Sequence, residues 1–209
     1  AAEETSSSTG KTITIGTPYT IDTFLPWDFT SDGDRYVISN VYECLFEYDA
    51  NTCIPVLAES YTNPDDCTWD VKIRENAYWH TGNKLFGDEK VQIKAEDVKW
   101  VMDWTMDPAN GSKQQTNLSS VVSSVEVLDD FTLRFTTPEP KALFLFTLSR
   151  VMIFPKKAID EGFDLNAWPV GSGAFKYVSY QTDDQVVLEK NSDYYITPNV
   201  DEVIFKIIP

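Results

Sequence analysis

Apolar and polar positions along the chain follow two periods, one typical of strands and one typical of helices. Strict alternation predicts half-buried strands and hairpins, whereas the spacing i, i+3, i+4 predicts a helix with one apolar face. The predicted strands and hairpins are KTITIG (11–16), CTWDVKIRE (67–75), VEVLDDFTLRF (125–135), which turns at Asp129–Asp130, and GSGAFKYVSYQTDDQVVLEKN (171–191), which turns at 182–184. Strands therefore alternate with helices, and no internal repeat is present.

Two segments have helical spacing. DRYVISNVYECLFEYD (34–49) is predicted to begin as a helix with Tyr36 on its apolar face and to pass into a strand near Leu45–Tyr48. KAEDVKWVMDWTMDP (94–108) is predicted to be a helix that ends before its proline. Between them, NPDDC (63–67) has the composition of a turn.

The last segment, VDEVIFKIIP (200–209), is apolar on both sides of a predicted strand. Such strands usually lie inside a sheet that is covered on both faces. Nothing follows in the sequence to pair beside this strand or to pack over it.

The amino-acid composition argues against two classes of binding partner. The 33 acidic and 17 basic residues give a net charge of -16, which repels nucleic acid and anionic lipid headgroups. Residues 1–10 are small and polar and are predicted to be a flexible leader, either the tether of an exported protein or an ordinary frayed terminus. Cys44, Cys53 and Cys67 allow at most one disulfide, and their spacing predicts no metal site and no cofactor.

Six stretches in order resemble the extracellular solute-binding proteins of family 5, which serve ABC importers of peptides and nickel. They are NVYECLFEYD (40–49), PVLAESYTNPDDCTWDVKIRENAYWHTG (55–82), IKAEDVKWVMDWTMDP (93–108), PVGSGAFKYVSY (169–180), LEKNSDYY (188–195) and DEVIFKIIP (201–209). The sequence departs from the family pattern at Cys44 and Cys67, where glycine is usual, and at Lys94, where a capping threonine is usual.

The resemblance implies an α/β (mixed α+β) fold, namely lobe I of a periplasmic-binding-protein-like architecture. We expect a mixed-sheet subdomain at 11–45 and 166–209 and an inserted α+β subdomain at 46–165. Family members are longer and build a second lobe after the FKIIP strand. We therefore expect this sequence to be an N-terminal portion without the second lobe, whether a shortened expression product, a nicked product or the product of a split gene.

The function implied by the resemblance is capture of an extracellular solute and its delivery to a membrane permease, without catalysis. A short peptide is the first candidate solute, an oligosaccharide the second and a chelated metal a distant third. We expect an extracellular or periplasmic monomer that reaches the membrane only through a lipid tether. By itself this chain is expected to bind solute weakly or not at all. A structural or adhesive surface domain is the alternative.

In the family the loop after the first strand faces the ligand cleft, which here is residues 17–34. Phe24 and Trp27 have rings that can stack on a ligand, and Asp22 and Asp28 can accept hydrogen bonds from an amine or hydroxyl. The alternative is a surface loop packed by its own aromatic rings.

A single guanidinium in the apolar stretch LFLFTLSRVMIFP (143–155) is another candidate. Arg150 cannot be buried unpaired without a severe penalty, so it must reach solvent, a carboxylate or an anionic ligand group. Gln115 and Asn117 are weaker candidates at the border of the cleft. Gly171–Gly173 is expected to form a tight crossing of the backbone instead of contacting solute.

An enzyme is the last alternative, because the chain has one histidine, His80, beside many serines and aspartates. A Ser-His-Asp hydrolase could use it. The sequence lacks a GxSxG-type nucleophile elbow, and the family often has a structural histidine at this place. We therefore expect no catalysis.

Overall fold

The computed structural model describes residues 10–50 and 52–208, so the predicted leader lies outside the described residues apart from Gly10. The strands are β1 (Thr12–Thr17), β2 (Glu43–Cys44), β3 (Phe46–Asp49), β4 (Thr52–Pro55), β5 (Ala58–Asp65), β6 (Thr68–Ile73), β7 (Ser124–Asp129), β8 (Thr132–Thr136), β9 (Met152–Ile153), β10 (Phe175–Gln181), β11 (Gln185–Lys190) and β12 (Glu202–Ile207). The α-helices are α1 (Asp32–Ile38), α2 (Ala95–Met106), α3 (Gln115–Ser119), α4 (Phe144–Leu148) and α5 (Lys156–Asp160).

The first sheet has four strands in the order β1-β12-β11-β10. β12 runs parallel to β1 and antiparallel to β11, so the last strand is paired on both sides by strands that precede it in the chain. Its side chains Val203, Phe205 and Ile207 are buried, while those facing the other way are half-buried. The last strand is therefore an interior strand of its sheet, but only one of its faces is fully buried.

The second sheet is antiparallel with the order β5-β6-β8-β7, and α2 packs against β7 and β8. Strand β6, the β7–β8 hairpin and α2 confirm three elements predicted from periodicity. The predicted turn at 63–67 is too long, because β5 continues to Asp65. Pro64 is tolerated there because β5 is an edge strand, where a missing N–H need not pair.

Helix α1 is shorter than its sequence pattern predicts. Ser31 caps its beginning, since its hydroxyl accepts a hydrogen bond from the Asp34 N–H at 3.1 Å. The helix ends at Ile38, and the Asn40 side-chain amide donates to the Tyr36 carbonyl at 2.7 Å. Tyr36 was predicted to lie on the apolar face but is 54% exposed.

The two sheets take their strands from different parts of the chain. The first sheet uses residues 12–17 and 175–207, and the second uses residues 58–136. The subdomain boundaries expected at 11–45 with 166–209, and at 46–165, stay a prediction.

Two backbone segments from these parts of the chain approach each other closely, Gly171–Gly173 and Asn40–Tyr42. We call this contact the glycine crossing. The Gly173 N–H donates to the Val41 carbonyl at 2.8 Å. A Cβ on Gly171 would lie 2.1 Å from the Val41 carbonyl oxygen, and one on Gly173 would lie 2.3 Å from the Asn40 carbonyl oxygen. Only glycine fits at these two positions.

His80 holds the same crossing from the other side. Its Nε2–H donates to the Gly173 carbonyl at 2.9 Å, and its Nδ1 accepts from the Gly171 N–H at 3.4 Å. This pairing requires the neutral ring, and burial lowers the pKa of His80 to about 4. The stability that depends on the neutral ring is complete above the usual histidine pKa of 6.5 and is lost as the pH falls towards 4.

Glu43 is a buried carboxyl group beside the crossing. It accepts hydrogen bonds from the Ser172 hydroxyl at 2.7 Å, the Tyr194 hydroxyl at 3.1 Å and the Tyr195 hydroxyl at 2.5 Å. Burial raises the pKa of Glu43 to about 7, although these three hydroxyl groups oppose the increase. Glu43 therefore ties β2 to the Gly171–Gly173 segment and to residues 194–195.

The close approach at the crossing predicts that Gly171→Ala destabilises the protein by about 3 kcal/mol, because a Cβ there overlaps backbone atoms. The measurement is urea unfolding followed by circular dichroism. Gly10→Ala is the matched control, since its Cβ would meet its nearest neighbour at an ordinary 3.5 Å. Equal midpoints for the two variants would contradict the proposed steric constraint.

The raised pKa of Glu43 predicts a pH-dependent stability. A carboxyl group whose pKa is higher in the folded state stabilises the fold at low pH, and this contribution is lost as the pH rises through the folded-state value. Relative to Glu43→Gln, wild type should lose stability on the order of 3 kcal/mol between about pH 4.5 and about pH 7.

The measurement is the free energy of unfolding of both proteins across this range. His80 titrates in both proteins, so its effect cancels in their difference. Glu126→Gln controls for the loss of one negative charge. A difference between wild type and Glu43→Gln that does not change with pH would show that Glu43 is not a buried titrating group.

Candidate functional site

An open cavity of about 520 Å³ lies between α1, β2 and the segment that leads into β9. Its wall includes Phe29 from the loop after β1 and Glu43 beside the glycine crossing. Other charged or hydroxyl-bearing side chains that line the cavity include Asp32, Arg35, Ser39 and Ser149. The cavity is therefore lined by both acidic and basic groups.

Trp27 and Asp28 directly precede Phe29 in the loop after β1, but neither is part of the cavity wall. The Trp27 ring is half-buried, with its centroid 5.0 Å from that of Trp104 and 4.9 Å from that of Phe154. Asp28 Oδ1 lies 3.6 Å from Lys113 Nζ, and both side chains remain largely accessible to solvent. This arrangement forms a partly exposed aromatic surface with a charged group beside it.

Phe24 does not have a free ring face for a ligand. It is 4% exposed, and its ring meets the edges of Tyr177 at 5.5 Å and Tyr180 at 5.2 Å. Its packing under the first sheet corrects the expectation that it stacks on solute. Asp22 is exposed, and its backbone N–H donates to the buried Asp34 carboxylate at 2.8 Å, which fixes the loop.

Gln115 and Asn117 lie on α3, away from the wall of the cavity. The Gln115 amide nitrogen donates to the Met106 carbonyl at 3.1 Å and to the Ser119 hydroxyl at 3.2 Å. Asn117 is exposed. Neither of these two side chains is part of the cavity wall.

Arg150 is half-buried and directly follows Ser149 of the cavity wall. Within residues 10–50 and 52–208 it makes no ion pair and no side-chain hydrogen bond, so the internal salt bridge considered from the sequence is absent there. Burial, and then the nearby charge of Arg35, lower the pKa of Arg150. The nearby charge of Asp32 acts in the opposite direction and partly offsets this decrease.

Arg35 was not predicted from the sequence. It lies on α1, is half-buried and lines the cavity. Nothing in the sequence marks Arg35 as a candidate site residue, because a charged residue on a short helix is ordinary. Only the packing of α1 beside the segment 149–152 brings it near Arg150.

One cysteine, Cys44, is part of the cavity wall. Cys44, Cys53 and Cys67 are free thiols. Burial raises the pKa of Cys44 to about 12, which makes its thiol a poor nucleophile. Among the described residues no group of three or more histidine, cysteine, aspartate and glutamate side chains could hold a metal ion. No helix in the same part of the chain is both long and apolar enough to span a membrane.

Known proteins with a similar sequence are binding proteins of bacterial transporters. The glutathione-binding protein GsiB of Pectobacterium atrosepticum is 28% identical over 201 residues, which cover 93% of this chain and 37% of GsiB. A putative ABC transporter peptide-binding protein of Brucella ovis is 32% identical over 175 residues, which cover 78% of this chain and 31% of that protein.

Solved structures of binding proteins also match this chain over most of its length. The periplasmic binding protein DppA of Helicobacter pylori, in complex with the peptide STSA, matches 96% of this chain with a TM-score of 0.84 and 26% identity. NikZ of Campylobacter jejuni, in complex with Ni(L-His), matches 94% with a TM-score of 0.80 and 26% identity. This chain covers 43% of the first and 39% of the second.

The chain thus spans well under two thirds of the length of these relatives. The model of a protein family described as bacterial extracellular solute-binding proteins, family 5 Middle, matches residues 52–209. This match covers more than half of the chain. The chain therefore belongs to family 5 of the bacterial extracellular solute-binding proteins.

Proposed function

We propose that the chain forms one wall of a solute-binding cleft in the substrate-binding component of an ABC importer, which captures an extracellular solute and delivers it to a membrane permease. The observation that carries this proposal is the open cavity of about 520 Å³ between α1 and the segment 149–152. Its wall combines aromatic rings, such as that of Tyr36, with a few charged side chains, which is the usual make-up of a site for an organic solute. Closure on the solute would follow from tighter binding in the closed state.

A short peptide is the proposed solute. The named relatives include a glutathione-binding protein, a putative peptide-binding protein and a structure that holds the peptide STSA. A peptide carries both charges that the acidic and basic cavity wall can bind. An oligosaccharide is the second candidate, which the partly exposed rings of Trp27 and Trp104 favour.

The proposed contact residues are Asp22, Trp27 and Asp28 on the loop after β1, which leads to Phe29 of the cavity wall, and Arg150, which follows Ser149 of that wall. Phe24 is omitted because it is buried, and Gln115 and Asn117 because they lie away from the cavity. Trp27 would stack on an apolar part of the solute, and Arg150 would bind an anionic part.

The proposed function needs no chemical step. Both ring nitrogens of His80 pair with backbone groups of the glycine crossing, which gives this residue a structural role. We further propose that the protein is an extracellular monomer, attached to the membrane by a lipid tether at residues 1–10. The polar, small composition of that segment is the basis for the tether.

The proposed function predicts that loss of the protein reduces peptide uptake. Bacteria that lack the coding sequence should take up radiolabelled Ser-Thr-Ser-Ala at least tenfold more slowly, and wild type supplied from a plasmid should restore uptake. Trp27→Ala should restore it poorly, because the stacking surface is lost.

Trp168→Ala is the matched control, since this tryptophan is 37% exposed and lies far along the chain from the loop after β1. Protein amounts are compared by immunoblot. Unchanged uptake after deletion would contradict the importer proposal, and equal rescue by both variants would exclude Trp27 from the site.

A further inference from the structure

We propose that Tyr19 and Tyr36 together form a binding site for an aromatic side chain of a peptide solute, at the edge of the cavity beside α1. This inference rests on the proposed function, since it names the class of peptide that this part of the cleft selects. The chemistry is contact between aromatic rings, in which a ring of the solute lies across two rings that the protein holds side by side. Peptides that contain phenylalanine, tyrosine or tryptophan are the matching ligand class.

The first support is that both rings are exposed and adjacent. Tyr36 is 54% exposed and Tyr19 is 44% exposed. No aromatic side chain in the part of the chain that the structure describes is more exposed than Tyr36. The two ring centroids lie 6.2 Å apart, with 41° between the ring planes. A single exposed ring is ordinary, whereas adjacent exposed rings form a continuous apolar surface of the kind that marks a binding site.

The second support is the position of the pair at the cavity. Tyr36 lies in the wall, and so do Ser39, three residues later in the chain, and Ser149. A peptide bound in the cavity can therefore place an apolar side chain on the Tyr36 ring while its polar backbone meets these hydroxyl groups. Tyr19 is not part of the wall, so its ring extends the apolar surface of Tyr36 beyond the wall.

Among the described residues, Tyr36 is the only exposed aromatic residue in the wall of the cavity. The other four aromatic residues there are Phe29, Tyr42, Phe46 and Tyr194. The first three are at most 3% exposed, so their rings have no free face for a solute. Tyr194 is half-buried, and its ring centroid lies 4.2 Å from that of Tyr195. Recognition of an aromatic side chain by this wall therefore falls to Tyr36 and the ring beside it.

The third support is a close contact that fixes Tyr19 beside α1. Gly33, in the first turn of this helix, has no side chain. A Cβ at this position would lie 2.6 Å from the Tyr19 Cβ and 2.7 Å from the Thr20 carbonyl oxygen. Only glycine allows the loop after β1 to approach the helix this closely. The approach brings the Tyr19 ring next to that of Tyr36.

Hydrogen bonds hold the same loop in place and leave the Tyr19 ring free. The buried Asp34 side chain on α1 accepts from the Asp22 N–H at 2.8 Å and from the Thr23 N–H at 3.2 Å. The Tyr19 N–H donates to the Thr17 hydroxyl at 3.2 Å. The backbone that carries the ring is thus positioned before a solute binds, which lowers the entropic cost of binding.

The test is competition for uptake of radiolabelled Ser-Thr-Ser-Ala, measured as the difference between bacteria with the coding sequence and bacteria that lack it. Unlabelled Ser-Thr-Phe-Ala should halve this uptake at a roughly fivefold lower concentration than unlabelled Ser-Thr-Ser-Ala does, because its phenyl ring contacts the tyrosine pair. The same peptide with cyclohexylalanine in place of phenylalanine should compete less well, since it matches the phenyl ring in size but lacks the charge distribution of an aromatic ring.

Tyr19→Ala and Tyr36→Ala should each weaken competition by the phenylalanine peptide more than competition by Ser-Thr-Ser-Ala. Tyr36→Phe should keep the advantage of the phenylalanine peptide, because the ring remains. Tyr61→Ala is the matched control and should also keep it, since this tyrosine is 40% exposed and lies on β5 of the other sheet.

Direct contact is measured by NMR, which detects weak binding, on the 209-residue protein with ¹³C-labelled tyrosine rings. Ser-Thr-Phe-Ala should cause saturable upfield shifts of the Tyr19 and Tyr36 ring signals, because an aromatic ring shields groups that lie over its face. The Tyr61 signals should not move. Shifts confined to other tyrosines would place the phenyl ring elsewhere and would overturn the inference.

The melting temperature distinguishes binding from a structural role. Both rings are largely exposed, so Tyr19→Ala and Tyr36→Ala should melt within about 2 °C of wild type. A much larger decrease in both variants, with equal losses for the two peptides, would indicate that the pair stabilises the fold and would contradict the proposed site.

Equal competition by the phenylalanine and serine peptides, or by the phenylalanine and cyclohexylalanine peptides, would also overturn the inference. These outcomes are distinguishable from failure of the proposed function, in which deletion of the coding sequence leaves uptake of Ser-Thr-Ser-Ala unchanged. Uptake can depend on the protein while the tyrosine pair fails to select aromatic peptides.

Discussion

The structure depends on a place where two backbone segments approach so closely that no side chain fits between them. A Cβ on Gly171 would lie 2.1 Å from the Val41 carbonyl oxygen. The contact fixes the segment that connects α1 with β2 against the residues that lead into β10. His80 brings in the loop after β6 by binding both glycine backbones. Since α1 and β2 form the cavity wall, the shape of the site follows from this crossing.

Two buried titratable groups adjoin the crossing and respond to pH in opposite directions. His80 must stay neutral, so its contribution is lost as the pH falls, whereas Glu43 favours its protonated form, so its contribution is lost as the pH rises. The fold therefore places polar groups in its interior where they hold segments together. At the cavity edge, in contrast, Arg35 and Arg150 form no ion pair with any residue of the described part of the chain.

Sequence reasoning predicted the elements whose periodicity is local. Alternation around Val71 and the face of α2 identify buried positions because each element packs on one side. A single charge in an apolar stretch singled out Arg150, since burial of an unpaired guanidinium is unfavourable. In contrast, one of the strands that pair with β12 is β1, from the other end of the chain. The hydrogen bond from the Lys11 N–H to Asp201, beside these two strands, joins residues 190 apart. Phe24 was misjudged and Arg35 was missed, because the residues around each of them come from distant segments of the chain.

The central claim is that the cavity between α1 and the segment 149–152 is a solute-binding surface, and photo-cross-linking tests it most directly. Ser-Thr-Ser-Ala carrying a photoreactive amino acid is irradiated with the protein, and the modified residues are mapped by mass spectrometry. The account predicts labels on Trp27–Tyr36 and Ser149–Met152 that excess unlabelled peptide suppresses. Labels confined to other surfaces, such as exposed β1 or Trp168, or insensitive to competition, would contradict it.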